Sequence, residues 1–446
     1  MAYRNQRSMK VGSVSDLTGE CVAIISLGCV RNLVDSEKIL VDLKRRGARV
    51  CPVEMASIIV INTCAFTRDA KMESIQAIFD CLALKNKKKI KKLFVYGCLP
   101  QRYLRELKKD FKEIDEFAGV ADFKASFDRE IILTPRHFAY LKISEGCANC
   151  CSFCAIPSIK GPLRSRSVSA ILDEVKFLEG RGVVELNIVG QDTTLFGMDC
   201  QKGRVSFKDV EQRGIGLARL VEKILKVSRI PWLRILYLHP LGVSDDLIDL
   251  MASEKRVCPY IDLPLQHIND RVLKLMNRGV NRDFIERRIS DIRSKIRDVT
   301  LRTTFIVGFP SEKKSEFLEL LDFIKVARFE KLGVFAYSRE EGTKAYKFKN
   351  QLVEKVKKER YDTLMFAQRE ISSSILKSYY GSVIDVLVEE KQEKNRLYPY
   401  VGRSRADAPE VDGRVFLHAE KLLRPGRIVK ARVNGSYEYD LKGEVV

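Results

Sequence analysis

The first part of the chain alternates short runs of β-branched residues with amphipathic stretches. The runs CVAIISLG, SIIVINT and KLFVYG predict buried parallel strands, and VDSEKILVDLKRRG and RDAKMESIQAIFDCLALK predict helices between them. Strands that alternate with helices favour a parallel sheet with helices on both faces. We therefore predict a doubly wound α/β domain over residues 21–135, preceded by an N-terminal extension over residues 1–20.

The same alternation continues through the middle of the chain. Six strand-like runs are separated by helical segments: HFAYLKIS, VVELNIVG, WLRILYLH, YIDLPLQ, LRTTFIVGF and KLGVFAYS. Six such units are too many for a small open sheet and too few for a complete eight-fold barrel. The pattern predicts an open (β/α)6 partial barrel over residues 136–376.

The last part of the chain has a different pattern. From SVIDVLVEE to DLKGEVV, short strand-like runs are interrupted by glycine, proline and asparagine. This is typical of a small antiparallel β-barrel, which we place over residues 377–446. The helix predicted for KVKKERYDTLMFAQREISSSILKS joins it to the partial barrel. The fold class is therefore α/β with a small C-terminal β-barrel.

The amino-acid composition indicates the cellular compartment in which these domains are expected. Apolar residues make up 45% and charged residues 31% of the 446 residues, a balance typical of soluble globular proteins. The N-terminus lacks the apolar core of a signal peptide, and no run reaches the ~18 apolar residues of a membrane helix. We expect a cytoplasmic protein with no membrane partner. In a reducing compartment, clustered cysteines more often bind metals or catalyse than form disulfides.

The charge of the chain indicates an acidic partner. Its 79 basic and 59 acidic residues give a net charge of +20. A basic protein attracts phosphate-rich partners by releasing their counterions, so nucleic acid or a particle that contains it is a candidate. A solvated, soluble surface is the alternative. The densest basic run, KNKKKIKK, by itself predicts a solvated loop or helix end.

Four of the twelve cysteines are crowded into EGCANCCSFCAIP, residues 145–157. The spacing Cys147-x-x-x-Cys151-x-x-Cys154 places three thiolates on one loop. Three thiolates suit a 4Fe–4S cubane whose fourth iron stays open for a small molecule. The alternative is a pair of zinc knuckles in which Cys150 is also a ligand. It is disfavoured because two chelating turns need a spacer to face one metal.

This loop, with Phe153 before its last cysteine, resembles the cluster-binding motif of the radical S-adenosylmethionine superfamily. The resemblance implies that Cys147, Cys151 and Cys154 hold a 4Fe–4S cluster and that the open iron binds S-adenosyl-L-methionine. One electron would then cleave this cofactor to methionine and a 5′-deoxyadenosyl radical, which abstracts hydrogen from an unactivated carbon. Cys150 would be a bystander in the spacer.

Three further cysteines share a context. Cys29, Cys64 and Cys98 each follow a predicted strand, in SLGCVRNLVDSE, INTCAFTRDAKMES and VYGCLPQRY. An α/β sheet presents its ligands at this edge, where the strands end. Buried core cysteines are the alternative, since this residue type is often buried. The remaining cysteines share no motif and are expected to be core or surface residues: Cys21, Cys51, Cys81, Cys200 and Cys258.

Together these three motifs resemble the methylthiotransferases of the radical S-adenosylmethionine superfamily. The resemblance implies a transferase in which Cys29, Cys64 and Cys98 hold a second 4Fe–4S cluster that supports sulfur transfer. One S-adenosylmethionine would donate the methyl group and another would generate the radical. The resemblance also implies a TRAM-like C-terminal β-barrel.

Other residues past the strand ends are candidates for binding S-adenosylmethionine. VELNIVGQDTTLFG places Gly190, Gln191 and Asp192 where polar groups could bind its ammonium or ribose. RTTFIVGFPSE places Arg302 on a strand and Gly308 in a tight turn that would let the backbone approach the cofactor closely. The alternatives stay open: the GQD segment could simply turn the chain, and the arginine could form an ion pair within the barrel.

Two more positions near this edge leave alternatives open. The family usually has glycine where Ser311 stands, so the motif does not fix the conformation of this turn. His267, in LPLQHINDRVLKLMNRG, is either a ligand or a plain hydrogen-bond partner.

The C-terminal segment bears on the substrate. One branch of the family modifies an adenosine in transfer RNA, and another modifies an aspartate of small-subunit ribosomal protein S twelve. Residues 378–446 hold 12 basic and 11 acidic residues, a net charge of +1. A barrel that grips transfer RNA should be strongly basic. Instead, Asp407, Glu410 and Asp412 form an acidic cluster that suits docking on a very basic ribosomal protein; a solvated acidic turn is the alternative.

Four short sequence motifs favour the same substrate as the charge of the C-terminal segment. YVGRSRADAPEVDG, YIDLPLQH, ILYLHP and EYDLKGEVV resemble the ribosomal-protein branch. This resemblance implies that the substrate is the β-carbon of an aspartate in ribosomal protein S twelve, with ribosomal RNA nearby and an electron donor as a further partner. The alternatives are a transfer-RNA methylthiotransferase and an iron–sulfur protein that binds ribosomes without turnover.

Overall fold

The computed structural model describes residues 17–120, 129–200 and 216–446. Most of the predicted N-terminal extension therefore lies outside the described residues. The described part contains two parallel sheets, a closed β-barrel and a two-stranded ribbon. None of its helices is long and apolar enough to cross a membrane.

The first sheet has five parallel strands in the order β2-β1-β3-β4-β5. The strands are β1 (Cys21–Ser26), β2 (Arg49–Val50), β3 (Ile58–Thr63), β4 (Lys92–Gly97) and β5 (Glu116–Ala118), and the helices are α1 (Val30–Arg45), α2 (Arg68–Asn86) and α3 (Cys98–Asp110). Successive side chains of a strand point to opposite faces. One face packs against α1 and the other against α2 and α3, so this sheet is doubly wound, as predicted.

The second sheet has six parallel strands in the order β13-β12-β11-β10-β9-β6, with β13 and β6 at its edges. The strands are β6 (Phe138–Lys142), β9 (Glu185–Val189), β10 (Trp232–Ile235), β11 (Val257–Asp262), β12 (Thr300–Val307) and β13 (Lys331–Ala336). Between β6 and β9, the short strands β7 (Ser144–Glu145) and β8 (Arg164–Ser165) form an antiparallel ribbon. The six strand runs predicted for an open partial barrel are confirmed.

Helices cover the outer face of this sheet, except α4 (Ile156–Lys160), which packs against the N-terminal sheet. The other helices of this part of the chain are α5 (Val168–Gly180), α6 (Leu217–Val227), α7 (Asp245–Ser253), α8 (Asp270–Met276), α9 (Arg282–Lys295), α10 (Lys314–Ala327) and α11 (Glu354–Ser378). On β6, Ala139 and Leu141 pack with these helices in the main core. Because side chains alternate along a strand, Phe138 and Tyr140 face the inner side of the partial barrel.

The C-terminal barrel is closed by strands in the order β14-β15-β16-β18-β17. They are β14 (Val383–Lys391), β15 (Tyr400–Ser404), β16 (Val415–His418), β17 (Ile428–Ser436) and β18 (Leu441–Val445). Four of the five pairings are antiparallel, and the pairing of β16 with β18 is parallel. The predicted small barrel is therefore present, with one parallel closure that the turn pattern did not indicate.

The small barrel packs on the inner side of the partial barrel through buried charge. Arg403 donates to Glu185 at 2.5 Å, and Glu185 also accepts from Arg234 at 2.8 Å. None of these three side chains is more than 2% exposed. Leu387 and Ala408 of the small barrel lie in the same apolar cluster as the inner side chains of β6 and β11. This joint fixes the small barrel against the strands that carry the functional residues.

Ser311 provides a test of backbone strain. Its φ is +66°, in the left-handed region, which costs a residue with a Cβ about 1 kcal/mol or more. We expect Ser311→Gly to raise the free energy of unfolding by about 1 kcal/mol, measured as a higher urea midpoint.

Gly308→Ala is the matched control, because Gly308 also has a positive φ, +72°, but a Cβ there would lie 2.4 Å from Cγ of Lys357. This change should lower the midpoint. An unchanged or lower midpoint for Ser311→Gly would contradict the strain.

Candidate functional site

The first set of cysteines lies along one edge of the N-terminal sheet. Cys29 caps the N-terminus of α1, Cys64 directly follows β3, and Cys98 begins α3 directly after β4. Since β1, β3 and β4 are neighbours in a parallel sheet, their carboxyl ends meet at the same edge. The structure therefore brings together the three thiols that the motifs singled out.

A glycine allows the loops of this set to touch. Gly28 has a φ of +85°, and a Cβ there would lie 2.5 Å from Cβ and 2.7 Å from Sγ of Cys64. Burial raises the pKa of Cys98 to about 12; the Lys160 ammonium opposes this rise, and the Cys64 and Cys29 thiols add to it. The thiols are thus close enough to act on one another's charge.

Cys29 differs from its neighbours in the direction of its pKa shift. Burial favours the neutral thiol, but the charge and hydrogen bond of Arg31, together with the Asn32 backbone amide, bring the pKa of Cys29 below its ordinary value. Burial raises the pKa of Cys64. The surroundings of Cys29 thus favour the thiolate, the form that binds metals, more than those of Cys64 do.

The second set lies on the loop between β7 and α4. Burial raises the pKa of Cys147 to about 12 and that of Cys154 to about 11. Each sulfur nevertheless has an N–H donor directed at it: the Asn149 amide on Cys147 at 3.4 Å, the Arg278 guanidinium on Cys151 at 3.4 Å, and the Ile156 amide on Cys154 at 3.5 Å. Such donors stabilise thiolates once they are formed.

Both sets suit a cubane better than a single metal ion. Among the described residues, no three histidine, cysteine or acidic side chains converge on one point as the ligands of one ion do. A cubane does not require such convergence, because each thiolate binds a different iron. Each set has three thiols and could hold a 4Fe–4S cluster with one open iron. In one set N–H donors are directed at the sulfurs, and in the other a glycine allows the loops to come into close contact.

Cys150 is more exposed than the three cysteines of the second set. Its side chain is exposed, and its Sγ lies 3.8 Å from the Ala148 carbonyl oxygen. The Cys150 carbonyl accepts a hydrogen bond of 2.8 Å from the Asn277 side chain, so the backbone here shapes the loop. This geometry supports the prediction that Cys150 is a bystander.

The GQD segment is tied to both cysteine loops. Asp192 is buried and accepts hydrogen bonds from the Asn149 side chain at 2.6 Å and from the Thr194 hydroxyl at 2.5 Å. The Gly190 carbonyl accepts from the Arg31 guanidinium at 3.0 Å. Gln191 lies half-buried between them. The segment thus turns the chain and positions the Cys147 loop.

The other predicted cofactor residues also have structural partners. Arg302 forms an ion pair of 2.9 Å with Asp262, which is the alternative that the sequence left open. Gly308 makes room for Lys357, and Phe153 packs against the cluster that contains Phe309. Binding of S-adenosylmethionine by these residues, and by the GQD segment, stays a prediction.

His267 is fully buried, and its Nδ1 accepts a hydrogen bond of 3.0 Å from the Asn269 amide. Burial lowers the pKa of His267 to about 3, so the ring is neutral at physiological pH. The structure therefore shows the plain hydrogen-bond role.

The prediction of an exposed acidic docking cluster is wrong for two of its three members. Asp407 is buried and pairs with Lys331 at 2.6 Å. The side chain of Asp412 is only 3% exposed and accepts from the Tyr260 hydroxyl at 2.5 Å. Only Glu410 is exposed. These carboxylates attach the small barrel to the partial barrel, because their cationic and phenolic partners lie on β11 and β13.

Sequence reasoning missed a buried ion-pair network beside the cysteines. The Lys160 ammonium lies 2.8 Å from Asp35, and Lys142 bonds to both Asp35 and Glu145. All four side chains are at most 6% exposed. Lysine attraction outweighs burial and lowers the pKa of Asp35 strongly. The network joins α1 to the strand and helix on either side of the second cysteine loop; the DSE of SLGCVRNLVDSE was its sequence signal.

Two cysteines without a motif also lie together. Cys21 and Cys51 are in disulfide contact, with their Cα atoms 6.0 Å apart. The expectation that these two were unrelated core or surface residues is therefore wrong. Burial of the Cys258 and Cys81 thiols fits their expected core role.

Three family models match successive parts of the chain. The Radical SAM superfamily matches residues 141–324, the Uncharacterized protein family UPF0004 matches residues 21–119, and the TRAM domain matches residues 381–446. Among solved structures, the cobalamin-dependent S-adenosylmethionine radical enzyme OxsB has a TM-score of 0.50 and 13% identity over 79% of this chain and 56% of that chain. This likeness shows the fold alone.

The fold and the cysteine loop thus define an enzyme of the radical S-adenosylmethionine class. Ribosomal protein uS12 methylthiotransferase RimO of Aquifex aeolicus (strain VF5) is 42% identical over 95% of this chain and 96% of its own. RimO of Thermoanaerobacter sp. (strain X514) is 42% identical over 95% of this chain and 99% of its own. The chain therefore belongs to the family of RimO methylthiotransferases.

The structural role of the acidic loop can be tested with one buried and one exposed member. Asp407→Asn leaves the Lys331 ammonium buried without its counter-ion, so we expect a loss of about 3 kcal/mol in unfolding free energy, read as a lower urea midpoint. Glu410→Gln is the control, because this exposed side chain makes one bond of 3.2 Å, with the Tyr140 hydroxyl. Equal effects of the two changes would contradict the assignment.

Iron content can test the ligand sets. Cys150→Ala should leave about eight irons per chain, since the thiol is exposed and outside both sets, whereas Cys151→Ala should leave about half. Iron and acid-labile sulfide are measured on anaerobically purified protein. Loss of iron in Cys150→Ala would contradict the bystander role.

Proposed function

We propose that this chain transfers a methylthio group to the β-carbon of an aspartate in ribosomal protein uS12, the protein S twelve of the small subunit. The observation that carries the substrate is the likeness to RimO enzymes over nearly the whole length of both chains. A transfer-RNA substrate is not favoured, because these RimO relatives are named for the ribosomal protein uS12.

The chemistry that the cofactors supply is hydrogen abstraction by a radical from S-adenosylmethionine, with sulfur delivery supported by a second 4Fe–4S cluster. In our proposal Cys147, Cys151 and Cys154 hold the first cluster, and Cys29, Cys64 and Cys98 hold the second. Both sets occupy carboxyl edges of parallel sheets, where open positions can face the same space.

The protein's own residues position these loops. Asn149 and Asp192 bond across 2.6 Å and hold the Cys147 loop against the GQD segment. Ala155 and Ile159, which follow Cys154, pack in the same apolar cluster as Cys98. This packing supports adjacent cysteine sets across the junction of the two sheets, an arrangement in which sulfur held at one cluster could reach a substrate carbon from which hydrogen has been abstracted.

The charge of the chain supports a location beside ribosomal RNA. Of the net charge of +20, the last 69 residues contribute +1, from 12 basic and 11 acidic residues. The remaining basic charge lies in the two sheet domains, which could contact phosphates while the target atom belongs to a protein. A soluble one-electron donor is a further partner required by the chemistry.

The proposal is tested by anaerobic reconstitution with S-adenosylmethionine and a reductant, followed by mass spectrometry of uS12 and, separately, of transfer RNA. We expect the mass gain of one methylthio group on uS12. A gain on RNA alone would overturn the substrate.

Two enzyme variants separate the clusters. Cys151→Ala should release no 5′-deoxyadenosine, because it loses a proposed ligand of the radical-generating cluster. Cys98→Ala should still release 5′-deoxyadenosine but transfer no methylthio group. Wild-type protein that binds ribosomes and releases no 5′-deoxyadenosine would show a binding protein instead.

A further inference from the structure

Arg31 lies between the two cysteine sets. It is two residues after Cys29, near the start of α1, and its Nη1 donates a hydrogen bond of 3.0 Å to the Gly190 carbonyl of the partial barrel. The side chain thus leaves the N-terminal sheet and reaches the segment that packs on the Cys147 loop.

The guanidinium is held in place by an aromatic ring. Its central carbon lies 4.3 Å from the centre of the Tyr237 ring, a cation–π contact. The backbone of Tyr237 is itself fixed, because its amide donates to the Asp262 side chain at 2.9 Å and its φ is +61°. Arg31 is therefore clamped from the barrel side by a ring and a carbonyl.

Arg31 is connected to the second set through the segment that it binds. Gly190, whose carbonyl accepts from Arg31, is two residues before Asp192, and Asp192 accepts from the side chain of Asn149. The backbone amide of Asn149 in turn donates to the Cys147 sulfur at 3.4 Å. In addition, the Arg31 Nε is buried and has no hydrogen-bond partner among the described residues. A buried donor of this kind indicates a missing acceptor.

Two other cationic side chains each lie near only one of the two cysteine sets. Lys160 pairs with Asp35 at 2.8 Å and directly follows Ile159, which packs in the same apolar cluster as Cys98. Arg278 donates to Cys151 at 3.4 Å. These two residues provide matched comparisons for a cation that faces both sets.

We propose that Arg31 is a positioning residue shared by both cluster sites, holding one positive charge between Cys29 of the first set and the Cys147 loop of the second. The inference rests on the proposed function, because it assumes that both sets hold 4Fe–4S clusters. Net charge and hydrogen bonds to sulfur set the reduction potential of such clusters. A shared cation would favour the reduced state of both clusters.

The test is the midpoint potential of each cluster, followed by electron paramagnetic resonance during anaerobic titration. Full-length protein is used with one set changed to alanine, so that a single cluster is read at a time. We expect Arg31→Met to lower the equilibrium constant for one-electron reduction of each cluster about tenfold, which lowers its midpoint potential by about 59 mV. Arg31→Lys, which keeps the charge, should recover most of each shift.

The comparison variants give the expected pattern. Lys160→Met should shift mainly the Cys29, Cys64 and Cys98 cluster, and Arg278→Met mainly the other one. Midpoints that move in only one cluster, or in neither, with Arg31→Met would overturn the shared role.

A second variant tests the proposal if Arg31→Met folds poorly. Tyr237→Leu keeps the charge but removes the ring that holds it, and should shift both midpoints in the same direction by a smaller factor; no shift in either would also overturn the proposal. Iron counts separate the two hypotheses: a wild-type chain with about four irons instead of eight would refute the proposed function before potentials are compared.

Discussion

The arrangement of the catalytic half of the molecule depends on burying opposite charges together at the junction of the two parallel sheets. Asp35 comes from the first sheet's helix, whereas Lys142 and Lys160 come from the segments on either side of the second cysteine loop. A buried charge that loses its partner costs several kcal/mol, so these ions hold one another in place. The positions of the neighbouring cysteine loops are fixed because these paired residues flank them.

Apolar packing supports the same junction. Ala155 and Ile159 belong to the polypeptide of the partial barrel but are buried in the core of the N-terminal sheet. The segment that follows the second cysteine loop is thus shared by two domains. The ion pairs fix the relative orientation of the two domains at this junction, and the apolar contacts remove its nonpolar side chains from water.

The sequence predicted the large elements because their residue patterns are long and local. Cys29, Cys64 and Cys98 each follow a run of apolar residues, so their place at strand ends could be inferred before any contact was known. The two-residue strand β2 and the three-residue β5 could not, since so few residues show no period. Arg31 was missed because a single cation beside a motif has no pattern of its own. The domain boundaries and the ligand roles stay predictions.

The acidic loop was misread for a different reason. Whether a carboxylate is solvated or paired depends on its spatial neighbours, and the partner of Asp407 lies 76 residues earlier in the chain. Charge counted along a segment cannot detect such a partner. Two of the acidic residues that make the small barrel nearly neutral are therefore paired with the partial barrel rather than solvated on an outer surface.

Those contacts have a mechanical consequence. The small barrel is bonded to the partial barrel through Glu185, Arg403 and Arg234, and through Lys331 and Asp407. Separating them would expose several unpaired charges, so the small barrel does not swing as a tethered module. Any macromolecule gripped by its outer surface is consequently held at a set distance from the cysteines. The distance from that surface to the cysteines is therefore a fixed dimension of the protein.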